Sequence, residues 1–196
     1  MKYAYHHLPK TGGRSVRVML KAFCRKTGHT RHSMGHYDRL LQKPIPEQVF
    51  LFATVRHPID RFISAWNYAN IYNGPGMAAR LLQKYLESKW NNINDFVLSE
   101  DLLLFQPTDI LNRTLCSHFL PLTAMMYPLE KYDLIIKMEE FDKQLPLLFK
   151  GKINTNVHEH ATGGGVSLKD LSKESIDRLN EFYSDDFDKL GYSKWE

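Results

Sequence analysis

His7-Leu8-Pro9-Lys10-Thr11-Gly12-Gly13-Arg14-Ser15 follows a short apolar stretch and opens the first predicted helix. Adjacent glycines let backbone N–H groups approach an anion closely, and a helix N-terminus adds positive potential. Lys10, Thr11 and Ser15 add a charge and two hydroxyls, so the segment reads as a phosphate cradle at a strand-to-helix turn. It is not a Walker A loop. That pattern, G-x-x-x-x-G-K-[ST], puts the lysine after the last glycine and a magnesium-binding hydroxyl beside it, whereas Lys10 precedes Gly12 and Gly13. The reversed order predicts an anion site without a dedicated magnesium ligand, which weighs against ATP or GTP hydrolysis and for another phosphorylated donor.

A second segment extends this reading. Phe50-Leu51-Phe52-Ala53-Thr54-Val55 is a continuous apolar run of strand type, and it leads into Arg56-His57-Pro58-Ile59-Asp60-Arg61-Phe62-Ile63-Ser64-Ala65-Trp66. Proline is tolerated at a first helical position, so Pro58 marks a helix start, with Arg56 at the end of a strand and Ser64 about two turns into the helix. Ligands of open α/β sheets bind beyond the carboxyl ends of the strands, so both segments are expected to face one crevice. Strands are predicted at about 3–8, 49–55 and 132–137, and helices near 13–26, 59–72, 76–89, 140–149 and 171–184. Asn73-Gly74-Pro75-Gly76 and Trp90-Asn91-Asn92 interrupt a helical middle region over residues 73–128. The expected architecture is α/β: one domain over residues 1–196, with a central parallel sheet covered on both faces and a helical insertion.

Together these segments resemble the sulfotransferases that use 3′-phosphoadenosine-5′-phosphosulfate (PAPS), in particular the carbohydrate branch related to heparan sulfate 2-O-sulfotransferase. In that family a P-K-T-G-G-x-S loop holds the 5′-phosphosulfate, and an arginine followed eight residues later by serine holds the 3′-phosphate. Lys10, Thr11, Gly12, Gly13 and Ser15 match the first pattern, and Arg56 and Ser64 the second. The resemblance implies a P-loop-like three-layer fold and transfer of a sulfuryl group from PAPS to a hydroxyl, with adenosine 3′,5′-bisphosphate (PAP) as product. Met34-Gly35-His36-Tyr37 is similar to a glycine-histidine pair of the family, which makes His36 the candidate base, with Glu139 and Glu140 as the alternative acids. An imidazole with an ordinary pKa near ~6.5 suits proton removal around neutral pH. Lys10 is then expected to stabilise charge on the departing phosphate oxygen.

Two departures from the family pattern stand out. Arg14 occupies a position usually taken by threonine or a small residue; it is counted with the donor-binding residues, its role left open between pairing with a donor phosphate and pairing with an acidic acceptor. Thr162-Gly163-Gly164-Gly165-Val166-Ser167 replaces a region where relatives often carry a basic residue, and reads as a lid over the donor.

Composition sets the remaining bounds. In 196 residues there are 26 basic and 22 acidic side chains, a net charge of +4, so anionic ligands are mildly favoured and general nucleic-acid affinity is not expected. Arg25, Lys26, Arg31 and Arg39 form a local basic patch suited to steering an anionic acceptor. Cys24 and Cys116 lie far apart without C-x-x-C spacing, which predicts neither a zinc site nor a disulfide framework and suits a reducing compartment. The His29/His32 and His158/His160 pairs lack a complete ligand set, so no metal is expected. No apolar run is long enough to span a bilayer, and the expected setting is soluble and cytoplasmic. The expected partner is a carbohydrate or another hydroxyl-bearing acceptor. Two other readings predict different behaviour: a nucleotide-dependent kinase binds ATP with Mg²⁺, and a noncatalytic module binds phosphorylated or sulfated ligands without transfer.

Overall fold

The structure, a computed structural model, describes residues 1–35, 42–71, 77–103, 110–152 and 165–196. In chain order the elements are β1 (Lys2–His6), α1 (Gly13–Thr27), β2 (Thr30–Met34), β3 (Phe50–Val55), α2 (Pro58–Ile71), α3 (Met77–Glu87), α4 (Ile93–Leu98), α5 (Ile110–Phe119), α6 (Leu122–Met125), β4 (Leu134–Lys137), α7 (Phe141–Leu148), α8 (Lys173–Phe182) and α9 (Ser184–Leu190). They form two compact units. One comprises residues 1–56 and 125–161, the other residues 57–124 and 162–196.

The first unit is built on a parallel sheet of order β2-β1-β3-β4. Alternation along β1 and β3 decides which side chains face which layer. Tyr3, Tyr5, Phe52 and Ile136 point to one face, where Val16, Met19, Leu20 and Phe23 of α1 and Leu145 of α7, with Phe149 just beyond it, cover them. Ala4 and Leu51 point to the other face, covered by Tyr127 and by half-buried Ile45, Val49 and Tyr132. Asp133 fixes the entry to β4: its carboxylate accepts from Leu51 N at 2.7 Å, and its own N–H donates to the Leu51 carbonyl at 2.8 Å. Strand order reverses at β1, which has β2 on one side and β3 on the other. The carboxyl ends of β1 and β3 therefore form the switch point at which such sheets bind ligands.

The expected α/β architecture with a central parallel sheet is what the chain forms, with one addition. β2 was not among the predicted strands. Its sequence Thr-Arg-His-Ser-Met carries only one buried residue, Met34, because it is an edge strand whose other side chains face solvent. It lacks the apolar alternation that a sequence reading relies on.

The second unit is helical. Its core gathers Phe62, Trp66, Leu82, Leu86, Phe96, Leu115, Phe119, Leu179, Tyr183 and Phe187. Two buried charges replace ordinary caps there. Arg61, fully buried, donates to the His118 carbonyl at 2.9 Å and to that of Leu120, and Tyr183 Oη donates to the Phe119 carbonyl. These bonds satisfy carbonyls left over at the end of α5. Asp186 does the converse at the start of α6, accepting from Leu122 N at 2.7 Å, Thr123 N at 2.8 Å and Thr123 Oγ1 at 2.7 Å. The middle region of the sequence resolves into α3, α4 and α5 in this unit. Asn92 starts α4 by accepting from Asn94 N at 2.9 Å and Asp95 N at 3.1 Å.

Candidate functional site: an anion cradle at the carboxyl end of the sheet

The chain leaves β1 at His6 and turns into α1 through Lys10 and Gly12, both in the left-handed region at φ 65° and φ 75°. Gly12 tolerates this conformation without strain, whereas lysine adopts it at a cost of about 1 kcal/mol. The two glycines are also fixed by packing. A Cβ on Gly13 would lie 1.9 Å from His7 Cδ2 and 2.1 Å from His7 Nε2, and one on Gly12 would lie 2.6 Å from Phe141 Cε2. The loop is thus pressed between the end of β1 and the start of α7, and only glycine leaves room.

Hydroxyl groups fix it from beneath. Thr11 is fully buried, and its Oγ1 donates to the Leu8 carbonyl at 2.9 Å and lies 3.0 Å from Thr54 Oγ1. Thr54 in turn sits 2.7 Å from Tyr5 Oη. This chain of three hydroxyls joins the loop to β3 and β1. Burial pushes the Tyr5 phenol well above its ordinary range, so it stays protonated as a donor. Tyr5 and Thr54 escaped the sequence reading. Their signal was positional, since both fall on the strand face that α1 covers.

What this scaffold presents is cationic. The N-terminus of α1 is capped by Gly12 without a side-chain hydrogen bond, and its first turn holds no acid. The dipole of a helix start without acids favours an anion there. Ser15 is buried in this turn and Arg14 is exposed beside it. Arg56 follows β3, the strand next to β1 in the sheet. Lys10 feels both arginines: burial, then the charge of Arg56, then that of Arg14, hold its ammonium down to about 8 from 10.5. At neutral pH it is still about 90% protonated. Lys10, Arg14 and Arg56 are thereby brought together around the first turn of α1, and a polyanion there relieves their mutual repulsion.

Ser64 lies on α2 in the second unit and is half-buried. His36 lies outside the described residues, as do Arg39, His158, His160, Gly163 and Gly164. The chain enters the segment that holds His36 from Met34, whose carbonyl accepts from His7 N at 3.1 Å. It is tied again at Lys43, whose carbonyl accepts from Tyr127 Oη at 2.8 Å. Glu139 and Glu140 form a short turn between Met138 and Phe141, the two residues nearest Gly12 on that side. Among the described residues no group of three or more His, Cys, Asp or Glu gathers as a metal site, and no helix is long and apolar enough to cross a membrane.

A parallel sheet with a cation-lined helix start at its switch point is suited to an anionic group. The family is explicit in the sequence as a whole: the model of the sulfotransferase family matches residues 2–193, and the chain belongs to that family. Sulfuryl transfer is accordingly its general chemistry. Neither a curated protein nor a solved structure matches the chain.

Two outcomes follow from this geometry. Gly13→Ala has to displace the His7 ring or the start of α1, so urea denaturation is expected to show a loss of about 1–3 kcal/mol, together with weaker binding of PAP. The lowered ammonium of Lys10 gives binding a pH dependence. A bound phosphate raises that pKa, so PAP affinity is expected to be flat from pH 7 to 8 and to fall by up to about tenfold per pH unit above it. Lys10→Met is expected to remove this slope, as calorimetry across the range will show. In the ligand-free protein the charged form is the penalised one, so the same shift makes stability rise as pH goes from about 8 to 10.5.

Proposed function

We propose that this protein transfers a sulfuryl group from PAPS to a hydroxyl of a carbohydrate acceptor, and that residues 1–196 act as one sulfotransferase-like domain. The observation that carries the reading is the crowding of Lys10, Arg14 and Arg56 around a helix start that holds no acid, in a chain matched almost end to end by the sulfotransferase family. The backbone of Lys10–Arg14 and the side chains of Lys10, Arg14 and Ser15 cradle the 5′-phosphosulfate. Thr11 contributes by locking the loop, its hydroxyl being engaged beneath it. Arg56 and Ser64 receive the 3′-phosphate, as the family resemblance implies.

The reaction then runs as an in-line displacement. The acceptor oxygen attacks sulfur, the bond between sulfur and the bridging oxygen breaks, and the acceptor proton passes to His36. Negative charge grows on the departing 5′-phosphate oxygen, where Lys10 and the α1 N–H groups stabilise it. The chemistry requires no metal. The buried free thiol of Cys24 is in keeping with a reducing, cytoplasmic setting.

Calorimetry with PAP in EDTA, beside ATP with Mg²⁺, tests the donor site. Selective binding of the bisphosphate is expected, weakened about 10–100-fold by Lys10→Met or Arg56→Ala, the range for losing a charge-assisted contact. Preference for ATP with Mg²⁺ would overturn the reading in favour of a kinase. His36→Ala is expected to bind PAP normally and to lose transfer from PAPS; full transfer by that variant would remove His36 from the mechanism.

A further inference from the structure

Helix α1 leaves the cradle carrying Arg14, Arg17, Lys21, Arg25 and Lys26 and no acidic residue. The first four recur at spacings of three, four and four, which places them along a single stripe of the helix. All four are exposed, on the side away from the buried Val16, Met19, Leu20 and Phe23. Among the described residues no carboxylate pairs with Arg17, Lys21 or Arg25.

This arrangement works against the helix. Like charges at i,i+3 and i,i+4 each destabilise it by about 0.2–0.5 kcal/mol, and arginines in the first turns oppose the macrodipole. A solvated surface helix has no need of such a pattern, and the chain as a whole mixes its charges, with 26 basic against 22 acidic residues. The stripe also continues past the helix. Lys26 Nζ donates to the Lys152 carbonyl at 2.7 Å, bringing the exposed Lys150–Lys152 turn to the end of α1. His29 beside it is held below its ordinary range, by desolvation first and, among nearby side chains, by Lys152 and Lys150.

We infer that the outer face of α1 is a track for a linear anionic polysaccharide, running from the cradle along Arg17, Lys21 and Arg25 to Lys26 and Lys152. A helix of this length covers about 22 Å, the span of several sugar residues in an extended chain. The choice of polysaccharide over nucleic acid rests on the proposed sulfuryl transfer to a carbohydrate. It rests also on the exposed side chains between the cations, Val18 and Ala22, which offer no aromatic platform for base stacking. The track holds the acceptor polymer while its reacting sugar reaches the cradle.

Heparin serves as the probe. Lys21→Gln/Arg25→Gln is expected to weaken heparin binding about tenfold or more and to lower the slope of log K against log salt by one to two, while PAP binding stays at the wild-type value. A control of equal charge loss on the second unit, Lys169→Gln/Lys173→Gln, is expected to leave heparin binding within about twofold. Unchanged binding in the first variant, or an equal loss in both, overturns the track. Tighter binding of single-stranded oligothymidylate than of heparin overturns the choice of polysaccharide. Heparin binding that depends on Lys21 and Arg25 in a protein that ignores PAP leaves the track standing and removes the sulfuryl-transfer reading instead.

Discussion

Three positive charges gathered around one helix start, with Arg56 and Arg14 both acting on Lys10, set the demands on the first unit. Lys10 is half-buried beside Arg14 and Arg56, and its ammonium is driven down to about 8 as a result. Such an arrangement is unfavourable in the ligand-free protein and becomes favourable once a polyanion arrives. The fold has to hold the repelling groups in place meanwhile. It does so with rigid parts: a loop wedged between His7 and Phe141 at positions where no Cβ fits, and a hydroxyl chain from Thr11 through Thr54 to Tyr5.

The same logic explains the placement of the site. In a parallel sheet with the order β2-β1-β3-β4, the chain diverges from β1 in both directions, and the loops after β1 and β3 are left side by side. One loop carries Lys10 and starts a helix whose first turn holds no acid; the other begins with Arg56. Preorganised donors and charges of this kind stabilise a departing phosphate without reorganising during the reaction. In the second unit the buried charges are neutralised locally instead. Arg61 and Asp186 each spend their hydrogen bonds on helix ends, which marks them as architectural.

Much of this was legible in the sequence because the relevant signals are local. Pro9-Lys10-Thr11-Gly12-Gly13 announces its turn by glycine chemistry, and Phe50–Val55 announces a buried strand by its apolar run. Pro58 marks the first residue of α2, where the structure has it. The signals that failed were those that depend on partners far away in the chain. β2 is polar because it lies at an edge, and its pairing with β1 is visible only in the register Lys2↔Thr30 to His6↔Met34. Tyr5 and Thr54 look like ordinary strand residues until 49 positions of chain separation are closed by a hydrogen bond. The bond from the Thr11 hydroxyl to the Leu8 carbonyl, and its approach to Thr54 43 positions away, are likewise visible only in the fold. The stripe on α1 was partly visible as a basic cluster around Arg25 and Lys26, but its continuity with the cradle required knowing where the helix begins and which face it buries.

The central claim is that Lys10 is a crowded cation awaiting a polyanion. Its side-chain titration, followed by NMR on lysine-labelled protein, tests this most directly. The account predicts a free Lys10 titrating near 8 rather than at 10.5, moving upward when PAP is added. A Lys10 that titrates at the ordinary lysine value with and without the bisphosphate would contradict it.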